Sequence, residues 1–177
     1  AAVNLFQRAS RLVPARHPAR LAVLPVLGES LMEIGDFAGA RAVIDEAEAA
    51  AIETGDARLL ALTRLGRMFV HLYGGEPGDW GAEALRVASE SIASLESTDA
   101  HNELASAWRL TAFVHGVAGR YAEANAATVH YMDHASRAGN KRLVARSGLG
   151  LANGLLPGAT PVLNGIDVLK KFTEKSP

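Results

Sequence analysis

The 177-residue chain contains no cysteine, which removes disulfides, thiol nucleophiles and thiolate metal sites together. Aromatic residues make up only 6%, and the 18 Lys and Arg nearly balance the 19 Asp and Glu, for a net charge of −1. So even a balance provides no global field to draw the chain to nucleic acid or to an anionic membrane. No run of 18 apolar residues occurs, so no membrane-crossing helix is expected. The opening Ala1-Ala2-Val3-Asn4-Leu5-Phe6 has neither the basic start nor the long apolar centre of a signal peptide. It also lacks an initiator methionine and begins inside a helical pattern, so a fragment of a longer, cytoplasmic protein is expected. Strand patterns are missing too: Val, Ile and Thr are scattered, with no alternating run bounded by turns. What remains is 49% hydrophobic and 21% charged residues, ordinary for a globular chain long enough to build one sizeable core.

A repeat organises that core. Gly35-Asp36-Phe37, Gly78-Asp79-Trp80 and Gly119-Arg120-Tyr121 begin 43 and 41 residues apart. Asp56-Ala57-Arg58-Leu59 and Asn140-Lys141-Arg142-Leu143 echo one another at 84 residues, two periods of 42. A period of this size marks stacked supersecondary units. Apolar residues fall at helical spacing between the breaks. Val3, Leu5, Phe6, Ala9 and Leu12 precede Pro14; Leu21, Leu24, Leu27, Leu31 and Ile34 precede Gly35. Phe37, Ala40, Ile44, Ala47 and Ala51 make the next face, and the same alternation continues to residue 156. Pro18 is well placed to open a helix, Asp36 to cap one, and Pro25 to bend its helix or delay its start. The final stripe, Val162, Ile166, Leu169 and Phe172, predicts a last amphipathic helix that packs despite its Lys-rich tail. That tail also fits the start of another segment or the basic last turn of a helix.

The segment from Leu24 to Ala40 resembles a tetratricopeptide repeat: Leu24, Leu27, Gly28, Leu31, Phe37, Ala40, Ile44 and Ala47 fall on the family's pattern. A second unit matches through Leu65, Gly66, Phe69 and Ala84, and a third through Trp108, Ala112, Gly119, Tyr121 and Ala124. The units exceed the family's usual length of about 34 residues, and the fourth lacks the Gly-x-aromatic turn. In length and style they are similar to repeats of large actinobacterial regulators that join an ATPase module to a cyclase-like or DNA-binding domain. The resemblance implies an all-α, right-handed solenoid of about eight helices in antiparallel pairs. Its expected layout is a single domain over 1–177, with a trailing helix (1–14), repeats at 18–54, 57–96 and 99–137, and an atypical last repeat at 140–173. Gly28 with Ala40, Gly66 with Ala84, and Ala112 with Ala124 are the expected close approaches. Phe37, Trp80 and Tyr121 are the expected wedges, with Trp108 also structural, and Phe37→Ala or Trp80→Ala is expected to cost roughly 3–5 kcal/mol.

The chemistry-bearing residues form no catalytic constellation. His130 and His134 share a helical face, but Tyr131 stands where a zinc-protease helix needs glutamate, so neither metal nor cofactor is expected. Gly148-Leu149-Gly150-Leu151-Ala152-Asn153-Gly154 lies within a helical pattern rather than after a strand, so it reads as packing glycines or a kink, not a phosphate loop. His115 takes a place usually aromatic and is expected to pack. Charge is uneven: residues 1–28 hold four Arg and no acid, whereas 29–56 hold eight acids and one Arg. That pattern fits solvated helix faces or a docking surface of alternating sign. By register, Glu29, Glu33, Arg67, His71, Arg109 and Phe113 are the residues expected to line a partner-binding concave face. The expected function is a regulatory scaffold that binds protein or peptide, including other domains of the same chain, without nucleic-acid or membrane contact and with oligomerisation left open. The alternative is a small-molecule sensor using a pocket near His71, Trp108 and His115.

Overall fold

The computed structural model describes residues 2–75, 77–158 and 160–175, with side chains as far as residue 171. Nine helices and no strand occur among the described residues. They are α1 (Ala2–Arg11), α2 (Pro18–Glu33), α3 (Phe37–Thr54), α4 (Ala57–Gly74), α5 (Trp80–Leu95), α6 (His101–Val117), α7 (Tyr121–Arg137), α8 (Lys141–Leu155) and α9 (Val162–Lys175). Backbone contacts divide the chain into two compact units, Ala1–Glu83 and Ala84–Pro177, with the division inside α5. In the first, α1 packs on α2, α2 on α3 and α3 on α4, and α4 also touches α2. In the second, α6 packs on α7 and α7 on α8, while α8 also meets α6 and α9. Neighbouring helices thus pack in pairs, the all-α repeat class that the sequence implies.

The turns explain why the motif recurs. Gly35 ends α2 with φ at +80°, a conformation that L side chains rarely adopt, and Gly119 ends α6 with φ at +73°. The next residue then donates its N–H to the carbonyl five residues back: Asp36 to Leu31 and Arg120 to His115, each at about 3 Å. The same bond closes α3 (Asp56 to Ala51) and α7 (Asn140 to Ala135). Asp36, Asp56 and Asn140 then turn their side chains forward to accept from Gly39, Leu59 and Leu143 at 2.8–3.1 Å. One residue thus stops one helix and starts the next, and the 84-residue echo is two copies of this device. Pro18 opens α2 after the His17 cap, and Pro25 lies inside the helix without delaying its start.

Two clusters of the first unit's core position α2, α3 and α4. Leu21, Leu24, Ala47, Ala50, Ala51 and Leu59 make one, and Leu27, Leu31, Ala40, Ile44 and Val70 the other. Ile44 of α3 is the keystone of the latter. A Cβ placed on Gly28 of α2 would lie 3.1 Å from Ile44 Cγ1, and one on Gly66 of α4 would lie 3.3 Å from Ile44 Cδ1. The two glycines therefore form the slot that one isoleucine fills. The space beside each glycine is thus taken by a larger side chain rather than by a second small one. Ala40 and Ala124 are nonetheless buried.

In the second unit Ala105, Tyr131, Ala135 and Leu143 form the central cluster, with Trp108 and Val144 packed on it. The glycines of α8 pack as expected, in a helix without interruption. Gly154 lies under the Asn125 amide of α7, and Gly150 faces Thr128. The buried hydroxyls in both units solve their polarity locally. Ser10, Ser30, Thr63, Ser91, Thr128 and Ser147 each donate to a carbonyl three or four residues earlier in their own helix.

Two packing expectations need revision. Phe37, Trp80 and Tyr121 are half-buried, because the turn sets each at the first position of its helix, where the helix end is open to solvent. Trp80 lies back over its own turn, with its ring nitrogen about 3.0 Å from the Cβ position of Gly78. In addition, α9 rests on α8 but leaves Val162 and Leu163 exposed, so its apolar stripe is only partly used. Phe172, the last residue of that stripe, lies outside the residues whose side chains are described.

Candidate functional site

The acidic α3 and the helix after it build a cleft in the first unit. Arg41, Ile44 and Asp45 of α3 and Arg67, Val70 and His71 of α4 line a space of about 210 Å³. Residues 41, 44 and 45, like 67, 70 and 71, recur at three- and four-residue intervals, so each set projects from one helical face. Ile44 and Val70 are buried and form the apolar floor, while Arg41 and Asp45 are exposed at the rim.

Ion pairs fix the walls. Arg67 Nη2 donates to Asp45 Oδ1 at 2.8 Å and also to Glu48 Oε2. Arg64 of α4 approaches Glu48 as well, at 3.7 Å. On the other side of α3, Arg20 of α2 grips Glu46 at 2.7 Å, and Arg16 pairs with Glu53. Part of the charge pattern read from the sequence is thus used within the first unit: arginines before and after α3 pair with its carboxylates. These groups are partly exposed, so each pair contributes modestly. The Nε–H of Arg67 is buried with no acceptor among the described protein atoms.

His71 closes one end of the cleft. Its ring stacks on Trp80 at 4.0 Å with the planes within 3° of parallel. Burial, and then the charges of Arg41 and Arg67, lower its pKa below the ordinary histidine value of 6.5. The ring is therefore neutral near pH 7 and offers both a donor and an acceptor nitrogen.

The six residues expected on one binding face divide as follows. Arg67 and His71 come together in the cleft. Glu29 and Glu33 lie on α2, the first half-buried and the second exposed, and neither lines that space. Arg109 and Phe113 lie on α6 in the second unit, both half-buried. Arg67 is also not held in reserve for a partner, since α3 already occupies its guanidinium. Sequence reasoning missed Arg41 and Asp45. Their signal was their spacing around Ile44, but nothing in the chain marked α3 rather than α2 as the wall opposite Arg67.

The residues of the alternative pocket have local partners. Trp108 stacks on His130 at 4.3 Å, and His115 accepts from Arg120 Nε at 2.9 Å across the turn that ends α6. His115 is thus half-buried and anchored by a hydrogen bond, rather than packed as an aromatic would be. No three-residue set of His, Asp or Glu able to hold a metal occurs among the described residues, and none of their helices is long and apolar enough to cross a membrane. Comparison with protein-family models finds no matching family, and a search of curated proteins finds no match.

Proposed function

We propose that the chain is a non-catalytic, tetratricopeptide-like scaffold that binds protein or peptide as a regulatory part of a larger signalling or transcriptional protein. The α3–α4 cleft carries this reading. Its charged and hydrogen-bonding rim over an apolar floor suits a polar-apolar side chain or a chain terminus. Its volume of about 210 Å³ is below the roughly 300–1,000 Å³ of typical small-molecule pockets, which favours a peptide side chain over an effector molecule. Ordered peptide recognition on helical scaffolds uses such side-chain pockets for specificity while the surrounding surface adds area.

Selection of a random displayed peptide library tests the proposal. Enriched peptides should lose at least about tenfold in affinity, the equivalent of about 1.4 kcal/mol, against Arg41→Glu and against His71→Ala. Arg41 and His71 are better probes than Arg67, because reversing Arg67 would set three carboxylates against one another and unfold the seam. Failure to enrich any peptide, or enrichment of peptides indifferent to both variants with their helicity intact, would reject the proposal.

A further inference from the structure

Histidines gather in the second unit, away from the cleft. Sequence spacing pairs His134 with His130, four residues earlier on α7. The fold instead pairs His134, in the last turn of α7, with His101, the first residue of α6. Their Nδ1 atoms are 3.1 Å apart, with ring centroids at 5.3 Å and planes inclined by 41°. His130 is turned away to stack on Trp108. Asp133 pairs with Arg137 at 3.1 Å. Beside the histidines, Asn140 at the start of α8 donates to Asn102 of α6 at 2.9 Å, tying the adjoining helix ends together. Both rings are half-buried and are carried by helices, so their separation is set by the packing of α6 on α7 rather than by a loose side chain.

We propose that His101 and His134 form a two-histidine site for a divalent transition-metal ion of the zinc or copper class. A metal about 2.0–2.1 Å from each nitrogen would see the pair at about 95–102°, between square-planar and tetrahedral values. Without metal, one ring holds its proton on Nδ1 and donates it to the other. With metal, that proton resides on Nε2 and both Nδ1 lone pairs face the ion, so binding needs a tautomer change but no loss of a proton from the neutral pair. With only two protein ligands, the remaining positions fall to water or to a donor from a partner.

Calorimetric titration of the full chain with zinc chloride, and separately with copper(II) chloride, tests the site. One ion per chain should bind, and His101→Gln or His134→Gln should weaken it by at least about tenfold, the scale on which even the outer partners of metal ligands act. His130→Gln should leave binding within about twofold. Nitrogen NMR of the unmutated chain should show one ring converting from Nδ1–H to Nε2–H on zinc addition, leaving both rings in the Nε2–H tautomer, a result that does not depend on any variant folding. No uptake, equal uptake by the His101→Gln and parent chains, or a loss as great in His130→Gln would overturn the proposal. Unchanged uptake by His101→Gln together with a loss in His130→Gln would assign the metal to the pair on α7 alone.

Discussion

Two helix–helix seams, one in each unit, are made from opposite materials. The α3–α4 seam is charged and shaped around one large side chain: Arg67 and Arg64 reach carboxylates of α3, and Ile44 fills the slot between Gly28 and Gly66. The α6–α7 seam relies on small residues and rings. Ala105, Ala107, Ala124, Ala127 and Ala135 are buried along it, Tyr131 is 3% exposed, and the inter-helix polar contact is between two imidazoles. The first seam leaves an open cleft because long arginines hold the helices by their tips. The second closes because alanines allow the backbones to approach. The proposed partner site lies where long polar side chains join the helices, and the proposed ion site where two rings meet over an alanine interface.

Ile44→Ala tests the first seam most severely. It should cost about 2–5 kcal/mol in chemical denaturation, the range for large-to-small core changes, because rigid helices on both sides cannot collapse into the space. A loss below about 1 kcal/mol would mean that the slot is not the keystone. Trp80→Ala should cost less, about 1–2 kcal/mol, since the ring is only half-buried and its further contribution is the stack on His71. This revises the roughly 3–5 kcal/mol that full burial of the wedge would imply. Thermal melts of the two variants side by side would rank them.

Arg67→Ala should cost about 1 kcal/mol or less at low salt, because the side chain is 40% exposed, and the difference from the parent should shrink as salt is raised. An equal loss at all salt concentrations would point to packing of the side-chain stem instead. The smallest effect concerns pH. The folded pKa of His71 lies below its unfolded value, so the unfolded chain binds the extra proton first. The stability tied to a neutral His71 is present above about pH 6.5 and is lost as pH falls through the folded value. In His71→Gln this part of the acid dependence should disappear, as read from melting temperature against pH. An NMR titration placing His71 above 6.5 would reverse the sign and show that stacking of a charged ring on Trp80 outweighs the two arginines.

Local chemistry was legible in the sequence and tertiary choice was not. Pro18, Asp36 and the Gly-x-aromatic turns act over fewer than six residues, and they announce helix ends by rules that hold in any context. The pairing of Arg67 with Asp45 and Glu48 spans 22 and 19 residues and depends on how α4 rotates against α3, which periodicity does not specify. The motif also overstated its aromatics. It placed them correctly at helix starts, but a helix start is the place where a ring is least enclosed. His101 was invisible as a partner of His134 because 33 residues separate them, whereas His130 advertised itself by spacing and then turned to Trp108.

The most direct test of the account is an amide NMR titration of the labelled chain with the tightest peptide from the library selection. The account predicts shifts concentrated at Arg41, Ile44, Asp45, Val70 and His71, with saturation at one peptide per chain. Shifts confined to α6–α8, or scattered weakly over both units without saturation, would contradict it.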